Sequence, residues 1–210
     1  MLVCFLITVG GVTAMLLAMA KGIAILPGIV KMIASTGFMG LAVAAGGLQT
    51  TYGRMILVAL FFSWWGDLFL ISGQRHLFLM GLVAFFLGHL GFGAAFLAHG
   101  VNTTWTLAAL VALLIPLGVV IRWLHPSLGE MRYPVYAYIG IITLMVALSA
   151  GAWGKEGTVL MLVGAVLFYI SDVFVARDRF VTSDVWNRYL GLPLYYAAQL
   201  ALAYTVRLVS

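Results

Sequence analysis

Apolar residues in this chain come in long unbroken runs. They show neither the strict alternation of a half-buried strand nor the three-to-four spacing of a helix with one wet face. A helix that crosses a bilayer needs about 20 mainly apolar residues at 1.5 Å rise each. Eight runs meet that need, near Leu2–Ala20, Met32–Gln49, Met55–Ser72, Leu77–Ala98, Trp105–Trp123, Tyr133–Trp153, Thr158–Ala176 and Val185–Val206. The connections hold the Pro, Gly, Asn and charged residues: Leu26–Pro27–Gly28, Gly73–Gln74–Arg75, Val101–Asn102–Thr103, His125–Pro126–Ser127, Gly154–Lys155–Glu156 and Arg177–Asp178–Arg179. None could hold a soluble domain. The pattern predicts an all-α, polytopic membrane helix bundle of about eight transmembrane helices, with residues 1–210 as a single integral membrane domain.

Composition agrees. The 210 residues are 64% hydrophobic and 8% charged, with a mean hydropathy of +1.14. Soluble domains carry about 25% charged residues. The basic balance (net +5, pI near 9.6) does not point to nucleic acid, because the Lys and Arg residues stand singly between apolar runs and form no basic face. A lone cysteine, Cys4, excludes an intramolecular disulfide and a cysteine-based metal cluster. Ala18–Met19–Ala20 resembles a signal-peptide cleavage site, but no Lys or Arg precedes Lys21. The first run is therefore read as a span.

Eight spans place both termini on one side. The opposite side carries Lys21, Lys31, Arg75, Arg122, Arg132, Arg177, Arg179 and Arg188, against Arg54, Lys155 and Arg207 on the terminal side. The excess of basic residues marks the cytoplasmic face. The expectation is an integral protein of a bacterial cytoplasmic membrane with both termini non-cytoplasmic.

The chain has six acidic residues, and two of them, Asp67 and Asp172, fall inside apolar runs. A carboxylate in hydrocarbon costs at least about 2.5–3.5 kcal/mol, so such a residue marks a functional site by default. Asp67 lies five residues before Ser72, and Asp172 five before Arg177. Both runs head towards the cytoplasmic side, so both carboxyls are expected about 7 Å inside that end. They are 105 positions apart, half the chain, and Trp65–Gly66–Asp67–Leu68–Phe69–Leu70 echoes Ile170–Ser171–Asp172–Val173–Phe174–Val175. A four-plus-four parallel repeat is one reading of that echo.

Other polar positions stay open between two readings. His89, among Gly88, Gly91 and Gly93, is a hydrogen-bonded histidine on a packing face or a proton carrier aimed at the aspartates. Arg177, Asp178 and Arg179 form a solvated loop, or Arg179 holds a lipid phosphate. Tyr195, Tyr196 and Gln199 are core, or polar tips seeking partners in hydrocarbon. The four histidines lie at different depths, which argues against a metal site, since a catalytic zinc needs three protein ligands. No cofactor is expected.

Four blocks together carry a family resemblance. They are Ser63–Trp64–Trp65–Gly66–Asp67–Leu68–Phe69–Leu70, Phe78 to Gly91 with Gly88–His89, Ser171 to Phe180, and Pro193–Leu194–Tyr195–Tyr196–Ala197–Ala198–Gln199. In their order and spacing the chain resembles the YhhN-like lysoplasmalogenase family. The resemblance implies an eight-span membrane protein that hydrolyses the vinyl ether bond of lysoplasmalogens, with Asp67 and Asp172 as catalytic candidates. With His89 they make the candidate catalytic set. Ser63, Tyr195, Tyr196, Gln199, Asp178 and Arg179 are the candidate substrate contacts. The expected partners are a lysophospholipid substrate and the lipid bilayer.

The implied chemistry starts with protonation of the vinyl β-carbon. Water adds to the resulting oxocarbenium ion, and the hemiacetal collapses to an aldehyde and an alcohol. Two carboxyls in a low dielectric can share one proton for this work. A proton-coupled transporter would use the same residue types. A purely structural protein would leave the intramembrane carboxylates without a role.

Overall fold

The computed structural model describes residues 1–23 and 26–209. It contains eight α-helices: α1 (Leu2–Ala20), α2 (Leu26–Ala44), α3 (Thr51–Phe69), α4 (Arg75–His99), α5 (Thr103–Leu124), α6 (Arg132–Trp153), α7 (Val159–Phe180) and α8 (Val185–Val209). Two single-turn 3₁₀ helices, His125–Ser127 and Gly129–Met131, join α5 to α6. The protein is thus an all-α polytopic bundle and an integral membrane protein. Among the described residues, six helices (α1, α2, α4, α5, α6 and α7) are long and apolar enough to cross a membrane. Helices α3 and α8 are long enough but less apolar, because they carry buried polar groups that face inward, including Ser63, Asp67, Asn187, Gln199 and Thr205.

Two boundaries differ from the sequence expectation. Leu26–Pro27–Gly28 is not a connection but the first turn of α2, where a proline's missing N–H costs nothing. Arg177–Asp178–Arg179 is not a loop either, since α7 continues to Phe180. Its two arginines sit in the last turn, where cations complement the helix dipole. Helix α8 runs through Pro193, as the expected span Val185–Val206 does.

Side-chain caps fix where several helices begin on the terminal side. Thr50 accepts from the Gly53 amide at 3.0 Å, Asn102 from Trp105 at 3.2 Å, and Thr158 from Leu160 at 3.3 Å. Helices α1 and α2, α3 and α4, α5 and α6, and α7 and α8 pack as hairpins, and α2 also meets α3 as α6 meets α7. Helix α4 packs on α6, and α8 packs on α2. These pairings recur four helices later, whereas the α1–α8, α3–α8 and α5–α7 contacts have no comparable counterpart. Gly91 lets α4 close onto α3, since a Cβ there would sit 3.0 Å from the Ala59 Cα. Helix α5 is peripheral, with only Leu124 buried, and its exposed Val111, Ile115 and Val119 suit a lipid-facing surface.

Candidate functional site

A cavity of about 680 Å³ opens at the end of the bundle that carries the α1–α2, α3–α4, α5–α6 and α7–α8 connections. Asp67, Asp172, Lys31, Tyr138 and Tyr195 all line it, and Arg179 and Arg188 lie on its wall among the connections. The two aspartates line one chamber, although Asp67 lies two residues before the end of α3 (Thr51–Phe69) and Asp172 eight before the end of α7 (Val159–Phe180).

Asp67 is 2% exposed and is saturated with donors. Ser35 Oγ donates to Oδ2 at 2.6 Å and Tyr195 OH donates to the same oxygen at 2.7 Å. Lys31 Nζ stands 3.2 Å from Oδ1. Behind these, Gln199 Nε2 donates to Tyr195 OH at 2.9 Å, and Tyr196 OH reaches the Lys31 carbonyl at 3.2 Å and Ser35 Oγ at 3.1 Å. The two tyrosines and Gln199 therefore act as one support for a single carboxylate.

Asp172 is differently placed. Its side chain keeps 16% exposure. Tyr138 OH donates to Oδ2 at 2.6 Å, and His89 Nε2 lies 2.9 Å from that hydroxyl and 3.4 Å from Oδ2. Among the described residues nothing bonds to Oδ1, and no hydrogen bond joins the two aspartates. Each carboxyl is held by the second helix of its own half and the fourth helix of the other: Asp67 of α3 by α2 and α8, Asp172 of α7 by α6 and α4. The site exists only where the two halves meet.

The remaining candidates separate. Ser63 is buried, donates to the Ala59 carbonyl at 3.0 Å, and lies against Gly88 behind the wall. His89, Tyr196 and Gln199 also stand behind the wall, as supports. Arg179 donates to the Gly73 carbonyl at 3.1 Å and lies over the Phe78 ring at 4.6 Å. Asp178 accepts from Ser183 at 2.8 Å and from Asn187 at 3.1 Å. Arg177, taken from sequence as a solvated loop cation, instead clamps the α7–α8 turn. It donates to Asp184 at 3.0 and 2.8 Å and to Asn187 at 2.6 Å. That bond holds the Asp184 carboxyl below its ordinary range. Arg75 likewise pairs with Glu130 and lowers it. Among the described residues Arg179 and Arg188 have no carboxylate partner, which leaves two unneutralised cations on the cavity wall.

Sequence reasoning missed Lys31, Ser35 and Tyr138 as site residues. Lys31 and Tyr138 lie one to two turns into α2 and α6 from the same end of the bundle, close to the depth of the aspartates. Matching depth across every polar residue would have flagged them.

Fold and site define a polytopic membrane protein with a two-carboxylate chamber at one end of its helix bundle. The profile of the YhhN family matches residues 26–206. Three curated relatives are similar. Lysoplasmalogenase TMEM86A of Bos taurus is 32% identical over 160 residues, covering 70% of this chain and 63% of that protein. Its Homo sapiens counterpart is 31% identical over 158 residues, with the same coverage. Lysoplasmalogenase TMEM86B of Mus musculus is 36% identical over 165 residues, covering 77% and 66%. The chain thus matches somewhat less than two thirds of the length of the TMEM86A relatives. No solved structure matches it. The chain belongs to the YhhN family.

Proposed function

We propose that this chain is an intramembrane hydrolase that cleaves the vinyl ether bond of a lysoplasmalogen-type lysophospholipid, releasing a fatty aldehyde and a glycerophospho-headgroup. One observation carries the reading. Two carboxyls line one chamber in opposite settings: Asp67 has donors on both oxygens and an ammonium beside it, whereas Asp172 has a free oxygen. The names of the curated relatives point the same way.

The settings assign the roles. Asp172 can carry a proton on Oδ1 and is the acid. It protonates the β-carbon of the vinyl ether, leaving an oxocarbenium ion and the Asp172 carboxylate. Asp67, an anion held by Lys31, stabilises that cation and takes the proton of the attacking water. In the collapse of the hemiacetal, Asp67 returns its proton to the departing glycerol oxygen. Asp172 recovers one from the hemiacetal hydroxyl. The sum is vinyl ether plus water giving aldehyde plus alcohol, with both carboxyls restored. Phe78, Leu82, Phe85 and Ile142 line the apolar side, where the alkenyl chain lies. Arg179 faces the headgroup phosphate.

The test is purified protein in detergent given alkenyl, alkyl and acyl lysophospholipids, with aldehyde and water-soluble product measured. Aldehyde from the alkenyl lipid alone is expected. Chelators are expected to leave the rate unchanged, since His76, His99 and His125 do not line the chamber. No cleavage of any lysolipid, with aspartate-dependent proton-coupled uptake into vesicles, would establish a transporter instead.

A further inference from the structure

We propose that Tyr138, with His89 behind it, determines which oxygen of Asp172 bears the acidic proton. This deepens the hydrolase reading and rests on it. Tyr138 has one hydroxyl proton and two close neighbours, Asp172 Oδ2 at 2.6 Å and His89 Nε2 at 2.9 Å. With that proton given to Oδ2, the tyrosine oxygen accepts from the His89 Nε2–H. The other ring nitrogen, Nδ1, is buried and has no partner among the described residues. A neutral His89 protonated at Nε2 leaves only a lone pair unmatched there. An imidazolium would bury an N–H with no acceptor.

The donors therefore run one way, from His89 through Tyr138 to Oδ2. His89 Nε2 also stands 3.4 Å from Oδ2, but its one N–H is already given to the tyrosine oxygen, so Tyr138 is the donor that reaches Oδ2. A proton on Oδ2 would meet that donor head-on, so the acidic proton belongs on Oδ1. The Tyr138 bond also resists a half-turn of the carboxyl that would hide that proton. A general acid works only within hydrogen-bond reach of its target. Tyr138 and His89 are thus positioning residues, and a phenylalanine at 138 keeps the ring and removes only the donor.

The experiment measures steady-state turnover of an alkenyl lysophospholipid, per folded molecule, by wild type and three variants. Tyr138→Phe is expected to lower kcat by about 10–100-fold, the cost of a misplaced acid. KM should stay within about twofold, because the ring that Tyr138 presents to the chamber wall is kept. His89→Leu should behave alike. His89→Gln, whose amide N–H can still donate to the tyrosine oxygen, should keep most of kcat. A Tyr138→Phe kcat within about twofold of wild type overturns the inference. So does His89→Gln falling as far as His89→Leu. Should Tyr138→Phe not fold, the two histidine variants decide alone. A wild type that cleaves no vinyl ether refutes the hydrolase reading, a failure distinct from these.

Discussion

Replacing Lys31 by methionine should expose how much of this site is held by one ion pair. The change removes the ammonium 3.2 Å from Asp67 Oδ1, where the two side chains are 12% and 2% exposed. Deleting one partner of a buried pair costs about 3–5 kcal/mol, because the other charge stays behind unpaired. Ser35 and Tyr195 still donate to Oδ2, so the lower end, about 3 kcal/mol, is expected. For a chain of this size that is a fall in Tm of about 6–12 °C. Asp67→Asn should cost less, since a lone lysine can extend its head into the open chamber. The double variant leaves a neutral pair and should recover at least about 2 kcal/mol of the summed losses. Thermal unfolding of all four proteins in one detergent, followed by tryptophan fluorescence, gives the cycle. A Lys31→Met Tm within about 2 °C of wild type, or strictly additive losses, would refute the pairing as a stabilising contact.

Three other outcomes are expected. Asp67→Asn and Asp172→Asn should each lower vinyl ether hydrolysis by at least about 100-fold while the protein stays monodisperse, and the double variant should be little worse than either; full activity in either single variant ends the two-carboxylate mechanism. Asp184 is held below its ordinary range by its bond from Arg177. A depressed folded value contributes stability above the unfolded value of about 3.9, and that contribution fades as pH falls through the lower folded value. The α7–α8 turn should therefore become more open to protease in strong acid, and in Asp184→Asn already at neutral pH; equal cleavage of Asp184→Asn and wild type at pH 7 would contradict this. Reporter fusions at the C-terminus and after Arg179 should give opposite sides, with the C-terminus non-cytoplasmic, and a cytoplasmic C-terminal signal reverses the proposed orientation.

The sequence by itself determined the helices and the two residues on which the chemistry is proposed to turn. An unbroken apolar run of membrane length has one stable backbone solution in lipid, with every N–H and C=O bonded within the segment. Eight such runs therefore became eight helices without reference to any neighbour. Asp67 and Asp172 stood out for the same reason: a carboxylate in such a run has no local explanation. Counting residues at a fixed rise also put both towards the same end of the bundle. Only the tertiary structure decided what each carboxyl meets. Hydropathy gives position along a helix axis but says nothing of which neighbour a side chain faces around it. Lys31 looked like one more topology marker until α2 packed beside α3 and α8. Tyr138 was one of nine tyrosines until α6 set it between Asp172 and His89. Arg177 passed for a solvated loop cation until α8 brought Asp184 and Asn187 to it. The difference between the two aspartates, one saturated with donors and one with a free oxygen, comes from the rotation and lateral packing of helices far apart in the chain.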